Sequence, residues 1–309
     1  MRKKVILDCD PGHDDAVAIL FAGASDKIDL LGITTVAGNS YVKNTTRNAL
    51  IMAENAALDI PVCEGADKPI LRKQIVAPDI HGESGLEGAD MPAPKKKKDP
   101  RTAIEFMVET IRNNPNEVTI VAVGPLTNVA QLITVYPQLC KDIREIVIMG
   151  GGIEFGNTTP VAEFNIYADP EAAQIVFDSG VHIVVFPLDV THQTKIFMEE
   201  IEQMQGFSSL IVSKMGLLLK FFHQTYFDVF NIEGAPLHDP CTIAYLIEPE
   251  IFEYEDYYAQ VELKGELTYG QTVVDYWKKT GHSPNSTWAL KANRKRFIDL
   301  LFEVLSNYN

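Results

Sequence analysis

The feature that most constrains the fold of this chain is a repeated order of segments, in which a short apolar run is followed by a polar loop and then by a helical pattern. This order is followed by the runs at residues 5–9, 29–37, 118–123, 143–149 and 181–186. Strands that alternate with helices in this way indicate βαβ units and a parallel sheet. Because runs such as Ile146-Val147-Ile148 are apolar throughout, we expect helices to cover both faces of the sheet.

The last third of the chain follows a different pattern. Residues 257–263 and 266–274 are separated by two residues and predict an antiparallel hairpin, and residues 286–290 predict one more strand. Asn293 is placed to cap a helix that ends near Leu305. Since no linker or internal repeat divides the chain, the sequence predicts a single α/β domain over residues 1–309. We expect a mostly parallel, Rossmann-like open sheet with helices on both faces and a small antiparallel addition near the C-terminus.

The charge balance argues against one class of partner. The 309 residues contain 27 Lys and Arg against 42 Asp and Glu, a formal net charge of −15, whereas nucleic-acid binding depends on basic patches. One basic run, residues 95–98, lies between two prolines. We interpret it as a solvated loop, with a nuclear address or a polyanion patch as the alternative. We therefore expect no nucleic-acid partner.

The cysteines and the apolar runs bear on the cellular compartment. Cys9, Cys63, Cys140 and Cys241 form no CxxC pair and show no metal-ligand spacing with histidine, which favours free thiols in a reducing compartment. No apolar run approaches the length of about 18 residues that a membrane span requires. The apolar run after the basic start of the chain is too short for a signal peptide. We therefore expect a cytoplasmic protein.

Four aspartates within eight residues form the most unusual motif: Asp8, Asp10, Asp14 and Asp15. Asp8 and Asp10 point to one face of a strand, at the end where open parallel sheets bind ligands. Asp14 and Asp15 begin a helix, where capping is an ordinary role of aspartate. Capping does not explain Asp8 and Asp10, and four carboxylates so close together resist ionising. We therefore predict a divalent cation, and carboxylate ligands favour a hard ion, Ca²⁺ or Mg²⁺.

Two further segments carry polar groups that suit a site. His238-Asp239-Pro240 precedes an apolar helix, where Asp239 at the N-cap and proline at the first position are an ordinary helix start. That structural role is compatible with a carboxylate that also reaches a ligand. Glu163 and Asn165 alternate with apolar residues, so both side chains are candidates to face a cleft, with plain surface exposure as the alternative.

Several blocks of this sequence, in their order along the chain, resemble those of the inosine–uridine type of nucleoside hydrolases. The resemblance spans positions 8 to 239. It is carried by Asp8-Cys9-Asp10-Pro11-Gly12-His13-Asp14-Asp15, Val36-Ala37-Gly38-Asn39, Ile80-His81-Gly82, Val123-Gly124-Pro125-Leu126-Thr127-Asn128, Met149-Gly150-Gly151-Gly152, Ala162-Glu163-Phe164-Asn165 and His238-Asp239.

The resemblance implies a Ca²⁺ site, a ribose site and a nucleobase site. The implied calcium ligands are the carboxylates of Asp10, Asp15 and Asp239 and the backbone carbonyl of Val123. The implied ribose contacts are Asp14, Asn39, Glu163 and Asn165, with Asn157 and Met149 nearby. The implied base contacts are His81, His238 and the segment that holds Tyr226 and Phe230.

The implied activity is calcium-dependent hydrolysis of the N-glycosidic bond of ribonucleosides to free base and ribose, a glycosidase step in nucleoside salvage or catabolism. The ribose gains oxocarbenium character as the bond breaks. Asp10 would be the general base that activates a metal-bound water. His238 would be the acid for the leaving base, since imidazole titrates near neutral pH, or else only a base contact. The family usually forms homodimers or homotetramers, so a homo-oligomer, such as a homotetramer, is implied.

The base-contacting segment departs from the family pattern. Pyrimidine-preferring relatives often have Tyr at the position of Phe230 and an amide at the position of Tyr226. The pair His81 and His238 favours pyrimidine nucleosides such as uridine and cytidine, with a purine or nonspecific preference as the alternative. The glycine-rich segment 74–94, which contains His81, is predicted to be a lid over the substrate.

Two other functions compete with this prediction. A haloacid-dehalogenase-like phosphatase also carries a DxD motif after its first strand, and Asp8 would then be a nucleophile beside Mg²⁺. The downstream Ser/Thr, Lys and paired acidic residues that this class needs are not evident here. A non-catalytic nucleoside-binding protein would keep the pocket without the chemistry. The presence of Asp10, Asn39, Asn165 and Asp239 argues against it.

Overall fold

The computed structural model describes residues 2–308, which form twelve strands and twelve α-helices. The strands are β1 Lys3–Cys9, β2 Ile28–Thr35, β3 Val62–Glu64, β4 Val118–Ala122, β5 Ile143–Met149, β6 Ile183–Phe186, β7 Lys195–Ile196, β8 Ala235–Pro236, β9 Phe252–Tyr257, β10 Ala259–Val261, β11 Thr272–Val274 and β12 Ser286–Ala292. The helices are α1 His13–Ala24, α2 Val42–Asn55, α3 Pro78–His81, α4 Ala103–Asn113, α5 Thr127–Val135, α6 Phe164–Ala168, α7 Pro170–Phe177, α8 Leu188–Thr191, α9 Met198–Gln205, α10 Leu210–Phe230, α11 Pro240–Ile247 and α12 Arg294–Leu305.

Eight strands form the central sheet, in the order β3-β2-β1-β4-β5-β6-β12-β9. Every neighbouring pair is parallel except β12 with β9, which is antiparallel. The strand order reverses at β1, with β2 on one side and β4 on the other. Open α/β sheets bind ligands at such a switch point, beyond the carboxyl ends of the strands. The predicted α/β fold with a mostly parallel sheet is confirmed.

The central strands alternate between two cores, one on each face of the sheet. Val5 and Leu7 pack into the core built with α1, α2 and α9–α12, whereas Ile6 and Ile120 pack into the core built with α4, α5 and α7. Successive strand residues point to opposite faces, so a strand covered by helices on both sides must be apolar at every position. This is the physical reason for the continuous apolar runs in the sequence.

The C-terminal hairpin differs from its prediction. Its strands, β10 and β11, are antiparallel but contain three residues each. The intervening residues 262–271 fold back through local bonds, with the Glu262 carboxylate accepting hydrogen bonds from the backbone of Lys264 and Gly265. Residues 257–263 and 266–274 therefore do not pair across a two-residue turn. The predicted cap is present, because Oδ1 of Asn293 accepts a hydrogen bond of 3.2 Å from the backbone of Arg296.

Three observations bear on the other sequence predictions. The lysine run lies on the surface, where Lys96 and Lys98 form ion pairs with Asp59 and Glu64. All four cysteines are free. Among residues 2–308, no helix has both the length and the hydropathy that a membrane span requires.

Candidate functional site

A cavity of about 380 Å³ opens beyond the carboxyl ends of the central strands. Loops after β1, β2, β4 and β5 border it, together with the segments that precede α6 and α11. Among the residues predicted from the sequence, Asp10 and Asp15 lie behind the wall of this cavity. The others line it, namely Asp14, Asn39, His81, Val123, Met149, Asn157, Glu163, Asn165, Tyr226, Phe230, His238 and Asp239.

Three buried carboxylates meet at one end of the cavity. Asp14, Asp15 and Asp239 each offer an oxygen atom, and these oxygens lie within 4.8 Å of one another. Burial, and then the charge of Asp15, raise the pKa of Asp14 to about 8. Burial, and then the charge of Asp14, raise the pKa of Asp239 well above its ordinary value. The three groups therefore resist carrying full negative charge together unless a cation compensates it.

Asp10 lies beside this group with one oxygen unused. Its Oδ2 accepts a hydrogen bond of 2.6 Å from the backbone N–H of Asn39, while its buried Oδ1 has no hydrogen-bond partner. Burial, and then the charge of Asp15, raise the pKa of Asp10 well above its ordinary value. Two glycines make room for the carboxylate, since a Cβ on Gly38 or Gly124 would lie 2.1 Å or 2.6 Å from its oxygens. An unpaired buried oxygen of this kind is costly without a ligand.

Capping accounts for only part of the acidic motif. Asp15 accepts hydrogen bonds from the backbone of Asp10 at 3.1 Å and of Gly12 at 2.9 Å, which stabilises the start of α1. Asp239 precedes α11 and makes no capping hydrogen bond with its side chain. Among residues 2–308, no Lys or Arg forms an ion pair with Asp10, Asp14, Asp15 or Asp239. An all-oxygen group without a basic partner suits a hard metal ion.

Asp8 does not belong to this group. Its Oδ1 accepts hydrogen bonds from the Thr34 hydroxyl at 2.6 Å and from Nδ2 of Asn128 at 2.7 Å. The side chain is fully buried between strands, and burial raises the pKa of Asp8 to about 7. Its Oδ2 has no hydrogen-bond partner, but Asp8 is not among the three carboxylates whose oxygens lie within 4.8 Å of one another, so the expectation that one cation compensates all four aspartates stays a prediction for Asp8. A fully buried Asp8 also disfavours its role as a phosphatase nucleophile.

Glu163 and Asn165 line the cavity from a helix start. Glu163 is the N-cap of α6, and its carboxylate accepts hydrogen bonds from three backbone N–H groups, those of Gly151, Asn165 and Ile166. Surface exposure is wrong for both residues, which are buried. Nδ2 of Asn165 donates to the carbonyls of Val123 at 2.9 Å and Met149 at 3.1 Å. Burial raises the pKa of Glu163 to about 7.

A second part of the cavity wall, its aromatic end, is formed largely by α10. Phe222, Tyr226 and Phe230 follow one another at intervals of four residues, so they share one face of that helix. Residues 75–81 of the predicted lid segment form an adjoining wall, which includes Ile80 and His81.

His238 lies in this aromatic end, and both of its ring nitrogens are engaged within the protein. Its Nδ1 lies 2.7 Å from the Thr191 hydroxyl, and its Nε2 lies 2.7 Å from the Tyr226 hydroxyl. Burial lowers the pKa of His238 well below its ordinary value and raises the pKa of Tyr226 well above its own. The imidazole is therefore neutral, and the tyrosine keeps its proton.

Sequence reasoning missed Thr191 and the lid residues that contact the cavity. Thr191 ends α8, directly after β6, so its place beyond a parallel strand was the available signal. The wall residues Ile75, Val76 and Ile80 carry no such signal, because apolar residues in a loop have many possible partners.

The chain matches known proteins over nearly its whole length. Residues 5–299 match the family model described as inosine-uridine preferring nucleoside hydrolase. Proteins described as pyrimidine-specific ribonucleoside hydrolase RihA from Citrobacter koseri and Salmonella typhimurium are each 47% identical over 310 residues, which covers 100% of this chain and 99% and 100% of theirs.

Two solved structures share the fold. The plant nucleoside hydrolase PpNRh1 superposes with a TM-score of 0.93 at 33% identity, and a purine-preferring ribonucleoside hydrolase from Gardnerella vaginalis with a TM-score of 0.93 at 28% identity. Each match covers 99% of both chains.

Proposed function

The chain belongs to the inosine-uridine preferring nucleoside hydrolase family, and from that premise we propose that it hydrolyses the N-glycosidic bond of ribonucleosides, with Ca²⁺ and with a preference for pyrimidine nucleosides. The observation that carries this proposal is the group of buried carboxylates without basic partners at a cavity that also has an aromatic wall. A sugar diol and a planar base need surroundings of these two kinds.

The carboxylates of Asp10, Asp15 and Asp239 and the carbonyl of Val123 would hold the ion. The fit rests on the unpartnered Oδ1 of Asp10 and on the raised pKa values of the three aspartates. Carboxylate and carbonyl oxygens are the kind of ligand that Ca²⁺ favours, and substrate or water oxygens would complete its six to eight ligands. When bound, such an ion supplies positive charge that lowers the pKa of a water molecule and orients hydroxyl groups.

Asp10 would be the general base. Its buried Oδ1 has no hydrogen-bond partner in the protein, so one lone pair of this oxygen would serve the ion and the other would take the proton of the attacking water. Its Oδ2 is held by the backbone of Asn39 at 2.6 Å, which fixes the direction of Oδ1. A base held in one position contributes through geometry as well as through its proton affinity.

The ribose would be held by Asp14, Asn39, Glu163 and Asn165, all of which line the cavity. Nδ2 of Asn39 donates to the carboxylate of Asp15 at 3.2 Å, and Nδ2 of Asn165 is held by two backbone carbonyls. These amides are therefore fixed before substrate binds, which reduces the ordering that substrate binding requires. Asn157 supports the same wall, since its Oδ1 accepts a hydrogen bond from the backbone of Phe164 at 2.9 Å.

Protonation of the leaving base would pass through Tyr226 and His238 together. Tyr226 and His238 both line the cavity, and the Tyr226 hydroxyl hydrogen-bonds to Nε2 of His238. Tyr226 would give its proton to the leaving base, the N–H at Nε2 of His238 would stabilise the resulting phenolate, and water would return the proton after the base departs. The Thr191 hydroxyl binds Nδ1 of His238 and fixes the ring. In this scheme Tyr226 replaces the hydroxyl that Phe230 lacks, one helical turn earlier on α10.

A pyrimidine preference is supported by the relatives from Citrobacter koseri and Salmonella typhimurium, which are described as pyrimidine-specific. A purine preference is the alternative, because the similar structure from Gardnerella vaginalis is described as purine-preferring. A panel of uridine, cytidine, inosine, adenosine and guanosine, ranked by kcat/KM, decides between them.

The activity itself is tested by release of reducing sugar from uridine, with and without EDTA. We expect ribose release that EDTA abolishes and that added Ca²⁺ restores better than Mg²⁺. Tight uridine binding without turnover would instead indicate a nucleoside-binding protein.

We further propose a cytoplasmic homo-oligomer, a dimer or a tetramer, that acts in nucleoside salvage or catabolism. Light scattering after size-exclusion chromatography measures the oligomeric state. Growth of the source organism's deletion strain on uridine as carbon source tests the catabolic role.

A further inference from the structure

We propose that His13, which does not line the cavity, is a positioning residue that sets which ring nitrogen of His81 carries the proton. In this arrangement Nε2 of His81 faces the substrate as a hydrogen-bond acceptor. The substrate group that binds there must then be a donor. The identity of that donor rests on the proposed function, whereas the proton position on His81 does not.

A backbone carbonyl fixes which nitrogen of the His13 ring carries the proton. Nε2 of His13 lies 2.7 Å from the carbonyl oxygen of Glu87. A carbonyl only accepts hydrogen bonds, so Nε2 of His13 must carry the proton. In a neutral imidazole the other nitrogen, Nδ1, is then unprotonated and can only accept.

The His13 ring in turn determines which nitrogen of His81 carries the proton. Nδ1 of His13 lies 3.1 Å from Nδ1 of His81. Because Nδ1 of His13 is an acceptor, Nδ1 of His81 must be the donor, and its Nε2 is left with a lone pair. His81 lines the cavity, and among residues 2–308 no group hydrogen-bonds to this Nε2. The free acceptor therefore belongs to the wall that faces the substrate.

Two groups of His13, its backbone N–H and its ring, compete for a hydrogen bond with Nδ1 of His81. The backbone N–H of His13 points at the same Nδ1 of His81 from 3.3 Å, a long hydrogen bond. Acting alone, that N–H would favour an unprotonated Nδ1 and a proton on Nε2 of His81. The shorter contact with the His13 ring favours the opposite arrangement.

The surroundings support a neutral pair. His13 is fully buried. Its ring lies nearly parallel to those of Phe221 and Phe222, with centroids 5.3 Å and 5.4 Å away. Burial lowers the pKa of His81 well below its ordinary value. Charged imidazoles are disfavoured in such an apolar stack.

The position of His81 is fixed from two sides. The ring of Phe222 stacks on it with a centroid distance of 5.6 Å. On the other side the main chain at Gly12 approaches so closely that a Cβ there would lie 2.5 Å from Nδ1 of His81. A ring packed in this way cannot turn over to exchange its nitrogens without moving its neighbours.

The chemistry of the ligand follows from an acceptor on the wall. The pyrimidine bases offer matching donors, the N3–H of uracil and the 4-amino group of cytosine. A purine that presents only unprotonated ring nitrogens at that position would leave the lone pair on Nε2 of His81 without a donor, which disfavours binding.

The experiment reads the proton position directly in the substrate-free protein. In uniformly ¹⁵N-histidine-labelled protein at pH 7.5, long-range ¹H–¹⁵N correlation spectra distinguish the two neutral forms of each imidazole. A His81→Gln variant identifies the His81 signals. We expect the Nδ1–H form in the wild type and the Nε2–H form in His13→Phe, which keeps an aromatic ring in the stack but removes both nitrogens.

A second variant separates this role from simple packing. His13→Asn can place a side-chain oxygen near the former Nδ1, and we expect it to restore the Nδ1–H form. For uridine, kcat/KM should fall roughly tenfold in His13→Phe, the effect of one mismatched hydrogen bond, and recover in His13→Asn. If the wild type shows Nε2–H on His81, or if His13→Phe leaves Nδ1–H in place, the proposal is overturned.

The proposed hydrolase activity and the proton position on His81 can be disproved independently of each other. A wild-type enzyme without activity on any nucleoside would remove the proposed function but would leave the spectral result intact. A change of proton position in His13→Phe with unchanged kcat/KM for uridine would show that Nε2 of His81 receives no donor from the substrate.

Discussion

The substitution Gly124→Ala tests the placement of Asp10 without altering any ionisable group. A Cβ at position 124 would lie 2.6 Å from Oδ1 of Asp10 and 2.9 Å from Cγ1 of Val36. Ordinary contact begins at 3.4 Å, so the oxygen must retreat by about 0.8 Å (3.4 − 2.6). It cannot do so freely, because the other oxygen of Asp10 is held by the backbone of Asn39 at 2.6 Å.

The expected loss follows from that distance. A displacement of about 1 Å in a catalytic group can cost on the order of 10²-fold in rate, and overpacking costs ~1–3 kcal/mol of stability. We therefore expect kcat for uridine to fall about 10²-fold and calcium affinity, measured by calorimetry, to weaken. The matched control is Gly206→Ala, where the nearest atom is 3.3 Å away at a helix end remote from the cavity. A folded Gly124→Ala enzyme with unchanged kcat and calcium affinity would refute the assignment of Asp10.

Three further outcomes are expected. Asp10→Ala should lower kcat by a factor of 10² or more, as expected for loss of a general base, with an unchanged circular dichroism spectrum; near-normal turnover would contradict its role. Tyr226→Phe should lower kcat as much as His238→Ala does, and the double variant should lose little more, because the two groups act as one unit; additive losses would separate them. Burial lowers the pKa of His192 from 6.5 to about 4, so only the unfolded state binds a proton there as the pH falls from 6.5 towards 4, and the native state loses stability. His192→Gln should therefore lose less stability than the wild type between pH 7 and pH 4.5 in urea titrations, and equal losses would contradict this.

The sequence predicts the parts of the fold that local pattern determines. β5 has the predicted bounds, because its second half, Ile146–Met149, is apolar and buried on both faces of the sheet. The short hairpin strands β10 and β11 could not be bounded, because side-chain bonds from Glu262 replace ladder pairing. The alternation around Glu163 singled out two residues that line the cavity, but the segment is too short for the pattern to predict that helix α6 begins there.

In the candidate site, too, some features could be predicted from the sequence and others could not. Motifs that are contiguous in sequence, such as the one from Asp10 to Asp15, can be recognised because several charged residues lie close together in the chain. The contact between His13 and His81 joins residues 68 positions apart, and the pair of Thr191 and His238 joins residues 47 apart. Such pairs form only when the folded sheet brings distant loops together. The spacing of residues in a single sequence therefore does not predict them.

Helix α10 bears Phe222, Tyr226 and Phe230, while the carboxylates come from the strand end of β1, from α1 and from the start of α11. In the proposed mechanism α10 therefore has two tasks, because Tyr226 would protonate the leaving base while Phe222 and Phe230 line the same wall. Substitutions at positions 222 and 230 would change which nucleoside fits while Tyr226 and the carboxylates stay in place. A scaffold arranged in this way would let substrate range diverge between relatives through two positions of one helix.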